Sequence, residues 1–191
     1  MMNFTKTLIL VSKSPRRQAL LKEAGIPFIV KTQDTDESYP PHLEAGEVAM
    51  FIATKKALTL KDQIADEIVL AADTVVRVDE RILGKPENRS HAREMLLTLS
   101  GKAHLVTTGV CLLTKDGKTV FDETTEVYFR SLASEEIDYY IDHYKPFDKA
   151  GAYGIQEWIG MVAVEKIVGS YFNVMGLPVH AVYRHLVEVG G

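Results

Sequence analysis

The chain has a single cysteine, Cys111. An internal disulfide needs two and a cysteine-rich zinc site needs more, so both are excluded. No apolar run approaches the ~18–20 residues that a membrane-crossing helix requires. The first residues, MMNFTKTLILVSKS, hold only a short apolar stretch. They lack the long hydrophobic region and small-residue cleavage site of a secretory signal. A cytoplasmic location with no membrane partner is therefore expected. A basic excess is also missing: 22 Lys and Arg stand against 26 Asp and Glu. Binding a nucleic acid polymer ordinarily demands gathered positive charge, so no such polymer is an expected partner. A small anion stays compatible, because it needs only a local cationic cluster. Repeats and low-complexity segments are absent, which excludes solenoids and long disordered tracts. No G-x-x-x-x-G-K-[ST] occurs, which excludes a Walker-type phosphate loop. The histidines are scattered, and His180 and His185 lack the i, i+4 spacing of a zinc-binding helix.

What is present alternates between strands and helices. Leu8–Ser12 reads as a buried strand. It runs into a helix opened by Ser14 as N-cap, with Pro15 at the first position and Gly25 past the end. A second strand is expected over 26–31 and a long helix over 44–65. Ile68–Ala72 is a short apolar strand ending at Asp73, and 75–78 with 82–83 suits a hairpin. Asn88 or Ser90 caps a helix reaching Ser100. The strands 104–113 and 119–129 flank an Asp-Gly turn signal at Asp116-Gly117. Ser134 caps a helix over 135–144, a strand is expected over 161–167, and a last helix over 178–187. The order is not strict βαβ, which favours a mixed α/β sheet with helices packed on it. The whole chain, 1–191, is expected to be one domain.

Two stretches carry chemistry. In Ser12-Lys13-Ser14-Pro15-Arg16-Arg17 a strand delivers the chain to a helix start. Unpaired N–H groups and the helix dipole favour an anion there, though the dipole alone contributes only ~0.3–1 kcal/mol. Two guanidinium forks suited to phosphate oxygens must add most of the attraction. Taken alone, the same residues also describe an ordinary capped helix with solvated arginines. At the other stretch, Asp73 follows a buried apolar strand, so its carboxylate stands on a rigid base. That suits a magnesium ligand or a general base, and equally a residue that merely ends a strand. Glu37, in the acidic run from Asp34, is the second carboxylate candidate. Lys85 sits between Gly84 and Pro86, and Lys56 lies beside Lys55 on the long helix. One lysine of that pair is expected to face solvent and the other to reach the site.

Taken in order, Ser12-x-Ser14-Pro15-Arg16-Arg17, Ala72-Asp73-Thr74, Gly84-Lys85-Pro86, Leu99-Ser100-Gly101, the run from Asp148 to Gln156, and Gly169-Ser170-Tyr171 with Gly176-Leu177-Pro178 resemble the Maf family over nearly the entire chain. These are nucleotide pyrophosphatases, also called septum formation inhibitors. The resemblance implies an elongated, curved mixed sheet with two lobes around a cleft, similar to the inosine triphosphate pyrophosphatase fold. It implies hydrolysis of a nucleoside triphosphate to monophosphate and pyrophosphate with Mg²⁺ or Mn²⁺, in a homodimer. It makes Asp73 the proton acceptor. It assigns Ser12, Arg17, Glu37, Lys56 and Lys85 to phosphate or metal handling, with Ser14 along the triphosphate path and Glu37 and Asp73 as metal ligands. Arg16, Thr74 and Gln156 are similar to the branch acting on dTTP and UTP. The branch acting on 7-methyl-GTP tends to carry tryptophan, glutamine and glutamate there. A glutamine amide both donates and accepts, which matches the imide edge of uracil or thymine. Two alternatives stand beside this expectation: a non-catalytic nucleotide sensor controlling septum formation, and a relative with purine specificity.

Overall fold

The computed structural model describes residues 5–190. Its strands are β1 (Leu8–Val11), β2 (Ile29–Val30), β3 (Ile68–Val78), β4 (Arg81–Leu83), β5 (Ala103–Thr114), β6 (Gly117–Phe129) and β7 (Val164–Val168). The helices are α1 (Pro15–Glu23), α2 (Ala45–Leu58), α3 (Arg89–Leu99), α4 (Ser134–Tyr144), α5 (Trp158–Ala163), α6 (Tyr171–Met175) and α7 (Val179–Gly190). The strands form one sheet in the order β2-β1-β3-β5-β6-β7, with β4 on β3. β1 pairs in parallel with both β2 and β3, whereas β3–β4 and β6–β7 are antiparallel. The expected mixed α/β class is thus observed. Two compact units are present. The first takes the chain through Asp73, then Thr108–Glu123 and the chain from Gly176; the second takes Thr74–Thr107 and Thr124–Met175.

In the first unit, Ile9, Val11, Val69, Ala71, Cys111 and Leu113 meet Ala53, Ala57 and Leu60. On α2 the buried Ala45, Ala49, Ala53 and Ala57 recur every four residues, one helical stripe of small side chains. Such a stripe lets the helix backbone come very near the sheet. A Cβ added to Gly109 would lie 2.3 Å from the Ala49 carbonyl carbon and from the Met50 nitrogen. The expected helix over 44–65 stops at Leu58, because the Thr59 hydroxyl donates to the Lys56 carbonyl at 2.7 Å and a 3₁₀ turn, Lys61–Gln63, follows.

In the second unit, Val76, Val78, Leu96, Leu99, Val127, Phe129, Ile137, Ile141 and Ile159 share a core. His104 lies among them, edge-on to Phe129 and Tyr153, with Nε2 2.8 Å from the Tyr153 hydroxyl. Burial pulls the imidazole pKa down from 6.5 to about 4. Between those values the unfolded chain binds a proton that the folded one refuses, so stability is complete above pH 6.5 and falls as the pH drops toward 4. The loss amounts to roughly 3 kcal/mol at most. Urea midpoints measured between pH 7.5 and 4.5 should show it, and His104→Phe should flatten that profile. An equally steep profile in the variant would assign the slope to other groups.

Several expected boundaries are corrected. The strand thought to end at Asp73 continues to Val78, because Val75, Val76 and Val78 are buried β-branched residues that extend it. Over 26–31 only Ile29–Val30 is strand. Ser134 is the first residue of α4 and not its cap: the cap is Ala133, whose N–H donates to Glu136 Oε2 at 2.9 Å. Residues 161–163 belong to α5, too short a helix to leave a periodic signal, and the strand begins at Val164. α6 was not foreseen.

Candidate active site

Parallel pairing sets Val11 beside Ala71. Ser12 is the first residue after β1 and Asp73 lies two residues past Ala71 on β3, so both follow the last parallel pair. Loops at the carboxyl ends of parallel strands are where open α/β sheets place ligands. Ser12 and Asp73 are each 8 % exposed. Buried polar side chains there need partners, and those found here are charged or hydrogen-bonding groups.

The carboxylates converge on one ammonium. Lys56 Nζ lies 2.6 Å from Asp73 Oδ1 and 2.8 Å from Glu37 Oε1. Asp73 and Lys56 are largely buried, with side chains 11 % and 14 % exposed, whereas Glu37 is 42 % exposed. Lys55, the neighbour on α2, turns instead to the acidic loop: its Nζ lies 2.9 Å from Asp36 Oδ2 and 3.1 Å from the Ser38 carbonyl. Lys56 is thus the lysine of the pair that meets Asp73, but the expectation that the other faces solvent is corrected: Lys55 is half-buried and salt-bridged. Lys13 Nζ holds Asp34 Oδ1 at 2.5 Å. Lys13 and Lys55 thus both pair with the 34–38 loop that carries Glu37. The sequence reading missed Lys13 and Lys55. Their signal was the alternation of acids in the loop with lysines beside Ser12 and Lys56.

Beside these lies the start of α1. The Ser14 N–H donates to Ser12 Oγ at 3.1 Å, and Ser14 Oγ accepts from the Arg17 N–H at 3.5 Å. Each hydroxyl still has its own proton to donate, which suits an anion. Arg17 Nε donates to the Gly176 carbonyl at 2.7 Å, a contact that fixes the plane of the fork. Burial lowers the guanidinium's pKa, and the field of Asp73 opposes the shift; Arg16 and Glu37 are the further charges that Arg17 feels. Arg17 and Asp73 therefore share one electrostatic environment, as a common site for a polyanion and a cation requires. The first unit brings together Ser12, Ser14, Arg16, Arg17, Glu37, Lys56 and Asp73.

Thr74, Lys85 and Gln156 belong to the second unit. Thr74 is half-buried on β3, and Lys85 is exposed. The Gly84 carbonyl, just before Lys85, accepts from the Gly151 N–H at 3.0 Å. Gly151 adopts φ 68°, a conformation that favours glycine, and a Cβ there would lie a tight 3.0 Å from Val76 Cγ2. Gln156 is exposed within an otherwise buried run from Gly151 to Ile155. Trp158 packs edge-on to Tyr139, in keeping with a packing role.

Residues 7–189 match the family model described as Maf-like protein. The chain belongs to the Maf family. It is 50% identical over 184 residues, 95% of each chain, to the dTTP/UTP pyrophosphatase of Bacteroides fragilis. It is 52% identical, again over 95% of each, to the dTTP/UTP pyrophosphatase of Phocaeicola vulgatus. It is 49% identical over 94% of each to that of Parabacteroides distasonis. Among solved structures it is similar to the Staphylococcus aureus Ham1 protein, with a TM-score of 0.45 and 16% identity over 65% of this chain and 72% of that one. No helix among the described residues is long and apolar enough to cross a membrane.

Proposed function

We propose that this Maf protein hydrolyses dTTP and UTP, and related modified pyrimidine triphosphates, to the monophosphate and pyrophosphate with a divalent cation. The observation that carries the catalytic part is the convergence of Glu37 and Asp73 on one lysine, with the half-buried Arg17 in the field of both carboxylates. The pyrimidine part is supported by the names of the similar proteins and by Arg16, Thr74 and Gln156 together.

The donor set fits a hard cation. Among the described residues no group of three or more His, Cys, Asp or Glu gathers as a cage. Magnesium characteristically uses one or two protein carboxylates and takes its other ligands from water and phosphate. Glu37 and Asp73 would hold it, and both already face a cation in Lys56. When bound, Mg²⁺ or Mn²⁺ supplies positive charge against the phosphate oxygens.

The rest is the work of the chain's own groups. Ser12, Ser14 and the first N–H groups of α1 bind triphosphate oxygens, with Arg17 as an oriented fork and Arg16 beside it. Asp73 takes a proton from the attacking water as its oxygen bonds to phosphorus. The P–O bond of the α–β bridge breaks, and the pyrophosphate leaves with the bridging electron pair. Lys56, released from its two carboxylates, and Lys85 offset the charge that develops on it. Thr74 and Gln156 contact the base. A homodimer in the cytoplasm completes the proposal, and light scattering checks the dimer.

Pyrophosphate release across a nucleotide panel tests the whole. dTTP and UTP should be cut fastest, a chelator should abolish turnover, and Mg²⁺ or Mn²⁺ should restore it. No release from any nucleotide would favour a sensor, and purine triphosphates outrunning dTTP would overturn the specificity.

A further inference from the structure

Gln156 is the second central residue of a turn: the Glu157 N–H donates to the Gly154 carbonyl at 3.0 Å. A single buried hydroxyl touches both ends of that turn. Tyr140, fully buried on α4, accepts from the Gly154 N–H at 3.0 Å, and its O–H donates to Glu157 Oε2. The other carboxylate oxygen, Oε1, lies 3.1 Å from Lys149 Nζ, whose second partner is Asp148 Oδ1 at 2.7 Å. The Lys149 side chain is 9 % exposed and that of Glu157 18 %. Such a pair is held within the protein, unlike the surface pairs that contribute little.

Three further facts confine the turn. A Cβ on Gly154 would lie 2.9 Å from Gln156 Nε2, so the amide folds over a residue without a side chain. A Cβ on Gly160 would lie 1.7 Å from the Ile155 carbonyl oxygen, so α5 presses directly on the turn. The Gly160 N–H also donates to the Glu157 carbonyl at 3.0 Å. Burial, and then the Glu157 carboxylate, push the Tyr140 pKa up, so the phenol keeps its proton and goes on donating.

We infer that Tyr140, Glu157 and Lys149 form a clamp on the Gly154–Glu157 turn, which fixes the backbone of Gln156 and with it the place from which its amide meets the imide edge of uracil and thymine, and so sets selectivity for that edge. The inference rests on the dTTP/UTP reading above, with Gln156 at the base. Its chemistry is specific. An amide held one way offers a donor and an acceptor in a fixed order. The same amide turned over suits cytosine, whose ring nitrogen accepts and whose amino group donates. Selectivity between thymine and cytosine therefore depends on where the amide stands against the base, and a glutamine whose backbone shifts with a loose turn cannot keep that place. These are positioning residues, acting through Gln156.

The test is the ratio of kcat/KM for dTTP to that for dCTP in Tyr140→Phe, Glu157→Gln and Gln156→Ala. A ratio taken on one protein sample cancels any loss of correctly folded fraction, so a merely destabilised variant still reports. Tyr140→Phe keeps the ring stacked on Tyr144 and removes only the hydroxyl. Glu157→Gln keeps the shape and removes the charge that Lys149 pairs. Both should lower the ratio about tenfold, with most of the dTTP loss in KM. Ratios kept within about twofold in both, while Gln156→Ala lowers its own, would make the network purely structural and overturn the clamp. An unchanged ratio in Gln156→Ala as well would remove Gln156 from base recognition, a failure of the underlying reading and not of the clamp alone.

Discussion

Asp73→Asn should lower kcat by roughly 10²–10⁴-fold, the range that a positioned general base commands, while nucleotide affinity stays within a few-fold. The substitution is nearly isosteric, and the amide oxygen still accepts from Lys56 Nζ, now 2.6 Å from the carboxylate. What is lost is the negative charge and the basic oxygen that takes a proton. Removing one member of a buried ion pair commonly costs about 3–5 kcal/mol. Here Lys56 keeps Glu37 at 2.8 Å, so the stability loss should fall below that range. Single-turnover hydrolysis of dTTP measures the first effect. Calorimetry with a triphosphate whose α–β bridge is a methylene measures the second. Turnover near that of the unaltered chain would take the proton-transfer role away from Asp73.

The pattern of charges explains why this site was legible before the fold was known. Ser12 and Asp73 each follow a run of buried aliphatic residues, Leu8–Val11 and Ile68–Ala72, and a polar residue there reads as the end of a buried strand. The sequence therefore placed both carboxylate and hydroxyl at strand ends. The expectation that the strand ends at Asp73 fails: β-branched residues beyond Asp73 carry it on to Val78. Local pattern cannot tell an aspartate that ends a strand from one that interrupts its burial. Only the neighbours across the sheet decide that.

The clamp on Gln156 was invisible for a different reason. Tyr140 reads as part of an aromatic helix face, Lys149 as one residue of a motif, and Glu157 as a polar residue after it. Their connection runs between α4 and a turn 14 residues further on, through hydrogen bonds that leave no periodicity. Motif resemblance placed Gln156 but said nothing of what holds it. Likewise the pairing of Lys13 and Lys55 with the 34–38 loop depends on where α1 and α2 sit, which no spacing encodes.

Gly109→Ala should destabilise the first unit by roughly 3 kcal/mol or more, at the upper end of overpacking costs. For a chain of this size that corresponds to a Tm fall of about 6–12 °C. The added carbon would lie 2.3 Å from backbone atoms of Ala49 and Met50. Backbone in mid-helix has no rotamer to change, so α2 itself must shift. That helix carries Lys56 and, through Lys55, steadies the loop that bears Glu37. A fraction of an ångström at the helix then becomes a misplaced ammonium between two carboxylates, so activity should fall in the folded variant as well as stability. Gly117→Ala is the matched control: glycine 117 is exposed, at the start of β6, with nothing within 4 Å of an added Cβ. Thermal unfolding followed by circular dichroism, with dTTP turnover measured well below the transition, separates the two effects. If Gly109→Ala melted with Gly117→Ala and hydrolysed dTTP equally fast, the close approach of α2 to β5 would not be what sets Lys56 in place.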